Sequence, residues 1–489
     1  MRTRLLVVPL VTALLAFVPR ADVQASGFAA VGFGAEHGHP TTDSLTAIYF
    51  NPAGLALLGG TRLVLDGTFA FRSFTFDRDP AAIDNILTGA DVDSGIGTPQ
   101  GDGVVANAGK ASLFNVLTSP FIGAATDLGV EGLGVGLAFY VPFGGQSVWD
   151  EADASDKYPG AVDGPQRWWI IDGSIRTMYL TAAAAYRVPD LRLSVGAGFN
   201  LALSSVNTLR ARNPDGTDHL VTGGYINEGR AHVDVAGVDP ALGVGLIWQP
   251  LDPLFVGVSY QSQPAFGDMK LEGQLTQILG SIPQQVAPED VEFVQALPDV
   301  LRFGGRWSMP GRYELRLSFS LTRWSSFDVQ CILNRGRDDR RCDRDEPVGQ
   351  IVNIPRDWSD AWGVRVGASY WADPDIEIYL GSGWDGNAVP DHTAETSLYD
   401  ADKFNAAVGA KLWLLDRTLV LKATWTQWLY LTRDIEPRGR VPADPTDPGG
   451  PTVTDIASHG LPTTLRNPDA AGTYTHTIGA LNVSAEYRF

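Results

Sequence analysis

The pattern that decides the fold is clearest in the last nine residues, Leu481-Asn482-Val483-Ser484-Ala485-Glu486-Tyr487-Arg488-Phe489. Apolar and polar side chains alternate along this stretch, which is typical of a β-strand with one apolar and one polar face. The same alternation occurs upstream, in residues 61–72, 191–201, 312–321 and 418–429. The chain is therefore predicted to be all-β, built from many strands whose two faces differ.

The connections between these strands alternate in length. Tight links are Asp127-Leu128-Gly129, Pro189-Asp190, Pro250-Leu251-Asp252-Pro253, Pro310-Gly311, Asp373-Pro374-Asp375 and Asp416-Arg417. Long polar segments lie between them, at residues 77–107, 143–172, 212–227, 265–292, 329–356, 385–402 and 436–471. Short turns at one rim and long loops at the other are the pattern of a bacterial outer-membrane barrel. The prediction is a 14-stranded antiparallel transmembrane β-barrel, closed so that no sheet edge is left unpaired in lipid.

Composition narrows the class of protein further. Of the 489 residues, 44% are hydrophobic and 19% are charged, and the formal net charge is −19. This acidic balance argues against nucleic acid as a partner, because phosphate binding needs a clustered basic surface. Beyond the N-terminus, no apolar run reaches the roughly 18 residues that a membrane-spanning helix requires.

The N-terminal residues have the character of an export signal. Arg2 and Arg4 precede an apolar run, and Val23-Gln24-Ala25 resembles a signal-peptidase site. Residues 1–25 are therefore predicted to be a signal peptide. Residues 26–60 follow as a Gly-rich segment without a regular period, and residues 61–489 are predicted to form the barrel.

Signatures of catalysis are scarce. The sequence has no Gly-x-Ser-x-Gly elbow, His-Glu-x-x-His, phosphate-binding loop or Cys-x-x-Cys. His37 and His39 supply only two ligands, whereas a metal site needs three or four. The pairs Gly134-Val135-Gly136 and Gly243-Val244-Gly245 lie within strands, and we interpret them as bends or as places where the lumen must stay open. The chain is thus predicted to be a non-enzyme without metal or cofactor.

The two cysteines, Cys331 and Cys342, are close in sequence, and in an exported protein they are predicted to form a disulfide. The Arg-rich loop between them, residues 334–341, is either a pinned hairpin without a ligand or a surface that contacts lipopolysaccharide, and the hairpin is favoured. Most of the tryptophans near predicted strand ends are expected to form an interfacial girdle. They are Trp168, Trp169, Trp324, Trp358, Trp362, Trp425 and Trp428.

Motifs along almost the whole chain, in this order and spacing, resemble the FadL-type outer-membrane transporters of long-chain fatty acids and other hydrophobic compounds. They are Ser26-Gly27-Phe28, Asn51-Pro52-Ala53-Gly54-Leu55, Tyr140-Val141-Pro142-Phe143-Gly144, Gly196-Ala197-Gly198-Phe199-Asn200, Leu297-Pro298, Trp324-Ser325-Ser326-Phe327 and Asp400-Ala401-Asp402-Lys403-Phe404. The sequence departs from the family pattern at Tyr399, where a proline is usual, and at Asn387-Ala388, where Ser-Pro is usual.

The resemblance implies that residues 26–60 form a hatch that plugs the barrel. It assigns Phe28, Asn51, Pro52 and Lys403 to the hatch and the ligand pocket. Lys403 would meet a substrate carboxylate, or would pair with Asp400 or Asp402 instead.

The resemblance also implies a lateral opening in the barrel wall, marked by Tyr140, Pro142, Phe143 and Gly144, where strand 3 is kinked. Proline cannot donate a ladder hydrogen bond, so a gap there has a local cause. The alternative is a strand that ends at Pro142 and turns into a loop.

The predicted function is passive uptake of hydrophobic molecules, long-chain fatty acids or hydrocarbons, across the outer membrane of a Gram-negative bacterium. Its partners would be the hydrophobic substrate, outer-membrane lipid and lipopolysaccharide, and the resemblance implies a monomer. Three alternatives stay open: a porin for hydrophilic solutes, a lipase-type outer-membrane enzyme, and a structural or adhesin barrel.

Overall fold

The computed structural model describes residues 33–82, 106–152, 160–213, 218, 221–222, 225–226, 228–278, 288–437, 440–442, 452–454 and 467–489. The predicted signal peptide and Phe28 lie outside the described residues. No helix in the described ranges is long and apolar enough to cross a membrane.

The architecture is a closed antiparallel barrel of 14 strands, β1 to β14, each paired with its neighbours in chain order. The strands are β1 Thr61–Arg78, β2 Gly109–Thr126, β3 Leu133–Val148, β4 Asp172–Val188, β5 Leu193–Arg212, β6 Gly229–Leu251, β7 Leu254–Gln261 with Asp268–Ile278, β8 Glu289–Ala296 with Val300–Met309, β9 Tyr313–Thr322 with Val329–Asn334, β10 Gln350–Pro355 with Ala361–Asp373, β11 Ile376–Asp385, β12 Lys403–Leu414, β13 Leu419–Tyr430 with Arg433–Ile435, and β14 Gly472–Arg488.

The barrel closes between its first and last strands, as the alternation predicts. β1 pairs with β14 along its length, from Arg62 opposite Arg488 to Arg78 opposite Gly472. Closure leaves neither strand with a free edge, which an apolar surrounding would leave without hydrogen-bond partners.

The half of the barrel that carries the short turns has its apolar face outside. On β1, Leu65 and Phe69 are exposed, whereas Asp66 and Thr68 are buried in the lumen. The outward apolar band therefore faces lipid, and the lumen of this half is polar.

In the other half, near the long connections, the polarity of the wall is inverted. On the second segment of β7, Lys270 and Glu272 are exposed, whereas Met269 and Leu271 are buried inside the barrel. The sequence prediction treated residues 265–292 and 329–356 as loops, which is wrong for the strand segments Asp268–Ile278, Glu289–Ala296, Val329–Asn334 and Gln350–Pro355. Because Asp268–Ile278 carries charged side chains outside and apolar side chains inside, it lacks the lipid-facing pattern used to predict strands.

Inside the barrel lies the hatch, here residues 33–60, which consists of irregular chain with three short helical segments. They are the 3-10 turn Ala35–His37, the α-turn Ala47–Phe50 and the 3-10 segment Pro52–Leu57. Glycines on the inner wall make room for the hatch backbone: a Cβ at Gly134, Gly196, Gly245 or Gly257 would overlap Leu55, Ala53, Asn51 or Pro40, respectively. Gly134 and Gly245 of the two Gly-x-Gly pairs thus mark where the hatch approaches the wall.

The remaining described elements are short. Single 3-10 turns occur at Pro80–Ala82, Ala161–Asp163, Pro165–Trp168, Pro264–Phe266, Trp324–Ser326 and Asp391–Thr393. Small hairpins pair Val221–Thr222 with Tyr225–Ile226 and Arg440–Pro442 with Thr452–Thr454.

The expected girdle of tryptophans is mostly absent from the seven positions named above. Only Trp362 and Trp425 are exposed on the outer face. Trp168, Trp169, Trp324 and Trp358 are buried inside the protein, and Trp428 lines an internal cavity. The prediction of a girdle is therefore wrong for most of these residues, because inverted polarity near the long connections turns them towards the lumen.

Candidate ligand cavities and wall opening

An inner cavity of about 270 Å³ lies in the lumen against the hatch. Phe33, Tyr49 and Phe50 of the hatch form part of its wall, and Pro142 and Phe143 of β3 form another part. Charged residues, among them Arg302 and Lys403, also line it, so the wall is partly aromatic and partly charged.

The hatch is anchored to the barrel by Asn51 of the predicted motif. Its Nδ2 donates to the carbonyl oxygens of Pro40 at 2.7 Å, Leu246 at 3.0 Å and Val258 at 3.3 Å. Its Oδ1 accepts from the backbone N–H of Ala53 at 3.1 Å, which caps the helical segment that begins at Pro52. Neither Asn51 nor Pro52 is among the described residues that line the inner cavity, so their role here is to hold the hatch.

Phe33 is a cavity residue that the sequence reasoning missed. Its ring centroid lies 5.3 Å from that of Phe121 and 5.1 Å from that of Tyr140, and it also packs on Tyr49 and Phe50. Phe28, the predicted hatch residue, lies outside the described residues. The signal for Phe33 was available in the sequence, because glycines flank it on both sides as they would flank an inserted ring.

Lys403 does line the inner cavity, and its partner is Asp400. The two side chains are buried and their charged atoms are 2.9 Å apart. Burial raises the pKa of the Asp400 carboxyl, and the ammonium group of Lys403 opposes that shift. Asp400 Oδ2 and Asp402 Oδ1 also accept from the backbone N–H groups of Ala388 and Asn387, so this motif holds the β11–β12 connection against the barrel.

Arg302 is the second cavity residue that the sequence reasoning missed. Three other cations on the cavity wall have carboxylate partners: Arg316 with Glu314, Arg365 with Asp385 and Lys403 with Asp400. Arg302 is only 7% exposed and forms no ion pair with any described residue. Its guanidinium carbon lies 4.4 Å from the ring centre of Tyr49, so the cation rests on the hatch. A lone arginine in an alternating strand has no sequence feature that distinguishes it.

The wall of the barrel is incomplete between β2 and β3. Their ladder runs from Thr126 opposite Val135 to Phe121 opposite Tyr140 and stops there. Beyond Tyr140, β3 pairs only with β4, with a register shift between Tyr140 and Phe143. At the far end, the side chain of Asn115 bonds to the backbone of Val148 at 3.3 Å and closes the unpaired stretch.

The four residues predicted for the opening lie together at this unpaired stretch. Tyr140 lies where the unpaired stretch begins. Its side chain is buried, and its hydroxyl accepts a hydrogen bond from Thr181 Oγ1 at 2.8 Å. Pro142 and Phe143 line the inner cavity. Pairing with β4 resumes at Phe143, opposite Thr177, and continues at Gly144, opposite Arg176. The alternative in which the strand ends at Pro142 is wrong, because β3 continues to Val148.

The cysteine hairpin is joined by a bond between Cys331 and Cys342. Its arginines already have acidic partners: Arg335 with Glu272, Arg337 with Asp339, and Arg340 with Glu292. Arginines that already pair with carboxylates bind an anionic surface less strongly. This favours the pinned hairpin over the lipopolysaccharide contact.

The side chains of His37 and His39 both have protein partners. His37 Nε2 lies 3.1 Å from Glu377 Oε1, and His39 Nδ1 lies 3.0 Å from Thr41 Oγ1. Within the described ranges, no group of three or more potential metal ligands occurs.

An outer cavity of about 90 Å³ lies nearer the rim with long connections. Trp169, Phe293 and Ile332 contribute to its apolar wall, and Tyr399 lies at its boundary with the inner cavity, which begins at the next residue, Asp400. The ring of Tyr399 stacks on Tyr474 at a centroid distance of 4.8 Å.

Residues 17–436 match the model of a family described as "Outer membrane protein transport protein (OMPP1/FadL/TodX)". A comparison with curated proteins returned no match.

Solved structures with a similar fold include a FadL homologue of Pseudomonas aeruginosa, with a TM-score of 0.69, 19% identity, and coverage of 96% of this chain and 99% of that chain. The toluene transporter TodX of Pseudomonas putida has a TM-score of 0.59 at 16% identity, over 95% of this chain and 100% of that chain. The toluene transporter TbuX of Ralstonia pickettii has a TM-score of 0.56 at 14% identity, over 96% and 99%. At these identities the likeness establishes the fold.

Proposed function

The chain belongs to the outer membrane protein transport family (OMPP1/FadL/TodX), and from that premise we propose that it takes up long-chain fatty acids or hydrocarbons by passive transport. It is an outer-membrane β-barrel of this transporter family. Substrate enters among the outer loops, occupies the inner cavity, and leaves sideways through the unpaired stretch between β2 and β3.

The observation that carries this proposal is the contact between cavity and wall. Pro142 and Phe143 belong both to the lining of the inner cavity and to the stretch of β3 that has no pairing with β2. A molecule in the cavity therefore lies beside a part of the wall where no ladder hydrogen bond has to break before it can pass.

Physical chemistry favours a lateral route for an apolar substrate. Each buried methylene group is worth about 0.8 kcal/mol, so release of a long alkyl chain into the periplasm would be strongly unfavourable. An exit into the lipid leaves those groups out of water. The hatch, anchored by Asn51, blocks the straight route through the lumen, which also argues against a porin for hydrophilic solutes.

The proposal includes the division of the chain into residues 1–25 as signal peptide, 26–60 as hatch and 61–489 as barrel. Phe28 would extend the hatch towards the inner cavity, and Lys403 would face the polar end of a bound substrate. Outer-membrane lipid and lipopolysaccharide would surround a monomer.

The lateral route is tested with a reversible bridge across the unpaired stretch. In Ser119→Cys/Pro142→Cys, a short thiol cross-linker should lower fatty-acid uptake by cells below that of the same variant before cross-linking, and reduction should restore that earlier level. The matched control is Ser194→Cys/Ile247→Cys, which bridges the fully paired β5–β6 ladder and should leave uptake unchanged. Normal uptake by the cross-linked gap variant would contradict a lateral exit.

The hatch is tested separately by deletion of residues 26–36. We expect reduced uptake from a barrel that still folds and still shows heat-dependent mobility on a gel. Normal uptake by this variant would contradict a role for the hatch in transport.

A further inference from the structure

A groove of about 690 Å³ runs along the outer face of the barrel, in the half that carries the short turns. It crosses the wall from Leu133 on β3 to Leu301 on β8, and its lining among the described residues contains no charged side chain. The groove is continuous with the apolar band that faces lipid, so an occupant comes from the membrane rather than from water.

The groove exists because the outward side chains are small at one level of the wall. Ala184 of β4 lies opposite Ala197 of β5, and both are exposed and line the groove. The neighbouring outward row is bulky, since Tyr186 lies opposite Val195, and Val195 lies opposite Leu246. Methyl groups beside larger side chains leave a hollow, and an apolar chain that enters it gains dispersion contacts with the wall.

The inner face of the same stretch of wall holds the hatch. Leu246 and Val258 line the groove, and their carbonyl oxygens accept hydrogen bonds from Asn51 Nδ2 at 3.0 and 3.3 Å. Ser259 also belongs to the lining, and its Oγ donates to the carbonyl oxygen of Phe50 at 2.6 Å. Three hydrogen bonds to the hatch therefore involve residues of the groove.

At two places the wall between groove and hatch is a single layer of backbone. Gly196 and Gly245 both line the groove, and a Cβ on Gly196 would overlap Ala53, as one on Gly245 would overlap Asn51. A shift of this backbone therefore acts on both surfaces, because close-packed structure transmits strain. The groove and the anchor of the hatch lie on opposite faces of one layer.

The rim beside the groove indicates which membrane lipid fits. Arg192 lies in the β4–β5 turn, three residues before Val195, which places it about 10 Å from the groove towards the short-turn rim. Its ion pair with Asp252 is exposed, and exposed pairs contribute little, so the guanidinium is free to turn to a phosphate. An acyl chain in the groove with a phosphate at this rim is the arrangement of a phospholipid in the periplasmic leaflet, whereas lipopolysaccharide lies in the opposite leaflet.

We propose that the groove binds one acyl chain of a periplasmic-leaflet phospholipid, with the lipid phosphate near Arg192, and that the bound chain strengthens docking of the hatch. A chain packed on Leu246 and Val258 holds in place the two carbonyl oxygens that accept from Asn51. The site lies outside the lumen and takes a membrane lipid rather than a transported substrate. The inference therefore goes beyond the proposed uptake function and does not depend on it.

Binding is tested with Ala184→Phe, which places a ring in the groove, and with its matched control Ala182→Phe. Ala182 is the preceding outward alanine of β4 and is not among the described residues of the lining. Dipalmitoyl phosphatidylethanolamine is titrated against the full chain in detergent micelles, and native mass spectrometry counts the lipids retained. Exclusion of about two methylene groups from apolar contact raises the Kd about tenfold, which we expect for Ala184→Phe, whereas Ala182→Phe should stay within about twofold of the unaltered protein.

The head group is tested with Arg192→Gln and with dipalmitoylglycerol, which has the same acyl chains and no phosphate. We expect Arg192→Gln to raise the Kd for the phospholipid about threefold and to leave the Kd for the diacylglycerol unchanged. Equal effects on both lipids, or no effect on either, would overturn the assignment of a phospholipid.

The link to the hatch is measured by limited proteolysis of residues 33–60. Added phospholipid should slow cleavage severalfold in the unaltered protein and in Ala182→Phe, and should have no effect in Ala184→Phe, whatever the starting rate of that variant. An equal effect of lipid in all three proteins, or unchanged lipid binding by Ala184→Phe, would overturn the inference. A dimer of the unaltered protein that Ala184→Phe converts to a monomer would also overturn it, because the groove would then be a contact with a second copy.

Discussion

Single glycines of the inner wall decide whether the hatch can dock. A Cβ at Gly245 would overlap Asn51 Oδ1, the atom that caps the helical segment of the hatch. We therefore expect Gly245→Ala to weaken hatch docking by about 1–3 kcal/mol, since overpacking of a close contact costs that much. Limited proteolysis of the folded protein should show faster cleavage within residues 33–60.

The matched control for this change is Gly243→Ala, on the same strand and the same face. There the nearest atom to the new Cβ is the flexible end of Gln261, at 3.0 Å, which can move aside. Equal protease sensitivity of the two variants would show that contact with Asn51 does not hold the hatch.

A second residue-scale prediction concerns His37 of the hatch. Burial lowers the pKa of His37 to about 3, although the nearby Glu377 carboxylate opposes that shift. A released hatch would restore a pKa of about 6.5, so docking keeps its full strength above that pH and weakens as the pH falls below it. At pH 5.5 the ratio of docked to released hatch should be about tenfold lower than at pH 7.5.

The measurement compares the protease sensitivity of the hatch in the unaltered protein and in His37→Gln at both pH values. Glutamine does not titrate, and other titrating groups, such as Glu36, act in both proteins. The difference between the two pH dependences therefore reports His37 together with its contact to Glu377. Identical pH dependences would disprove the assignment.

At the scale of the strand, the prediction concerns the pairing of β3 with β2. Pro142 has no backbone N–H, and pairing between β2 and β3 stops two residues before it. Pro142→Val supplies a donor and a residue that favours strands, so the ladder should extend and uptake should fall severalfold. Pro240→Val on β6 is the control, because Pro240 lies in the fully paired β5–β6 ladder and faces outward. Equal uptake by both variants would contradict a gate at Pro142.

Strands also show how far the sequence could lead. Alternation with an apolar outer face predicts the strands in the half of the barrel that carries the short turns, since lipid imposes that pattern on residues such as Leu65 and Phe69. In the half near the long connections, the outer face of the barrel meets water. There β7 carries Lys270 and Glu272 on its outer face, so the sequence pattern of this segment predicts a loop.

The sites follow the same division. Pro142 and Lys403 could be placed from motifs, because their neighbours in sequence are also their neighbours in space. Arg302 could not, because what distinguishes it is the lack of an ion-pair partner among the described residues, and such a partner can come from any strand of the barrel.

At the scale of the whole molecule, barrel and hatch are held by different interactions. The barrel is closed by ladder hydrogen bonds between neighbouring strands, including β1 with β14, and none of these involves the hatch. The hatch is held from within by Asn51, by the aromatic contacts of Phe33 and by the Arg302 cation on Tyr49. Removal of the hatch should therefore empty the lumen without unfolding the wall.

This separation predicts electrical behaviour that a porin would not show. In planar bilayers the complete protein should conduct almost no ions. A variant lacking residues 33–58 should form large, steady channels, because the lumen is polar in the half of the barrel that carries the short turns. Gly245→Ala should conduct intermittently, since its hatch is only weakened. Large, steady channels from the unaltered protein would favour a water-filled pore, and silence of the deletion variant, if it is folded by gel mobility, would mean that the wall itself collapses inward without the hatch.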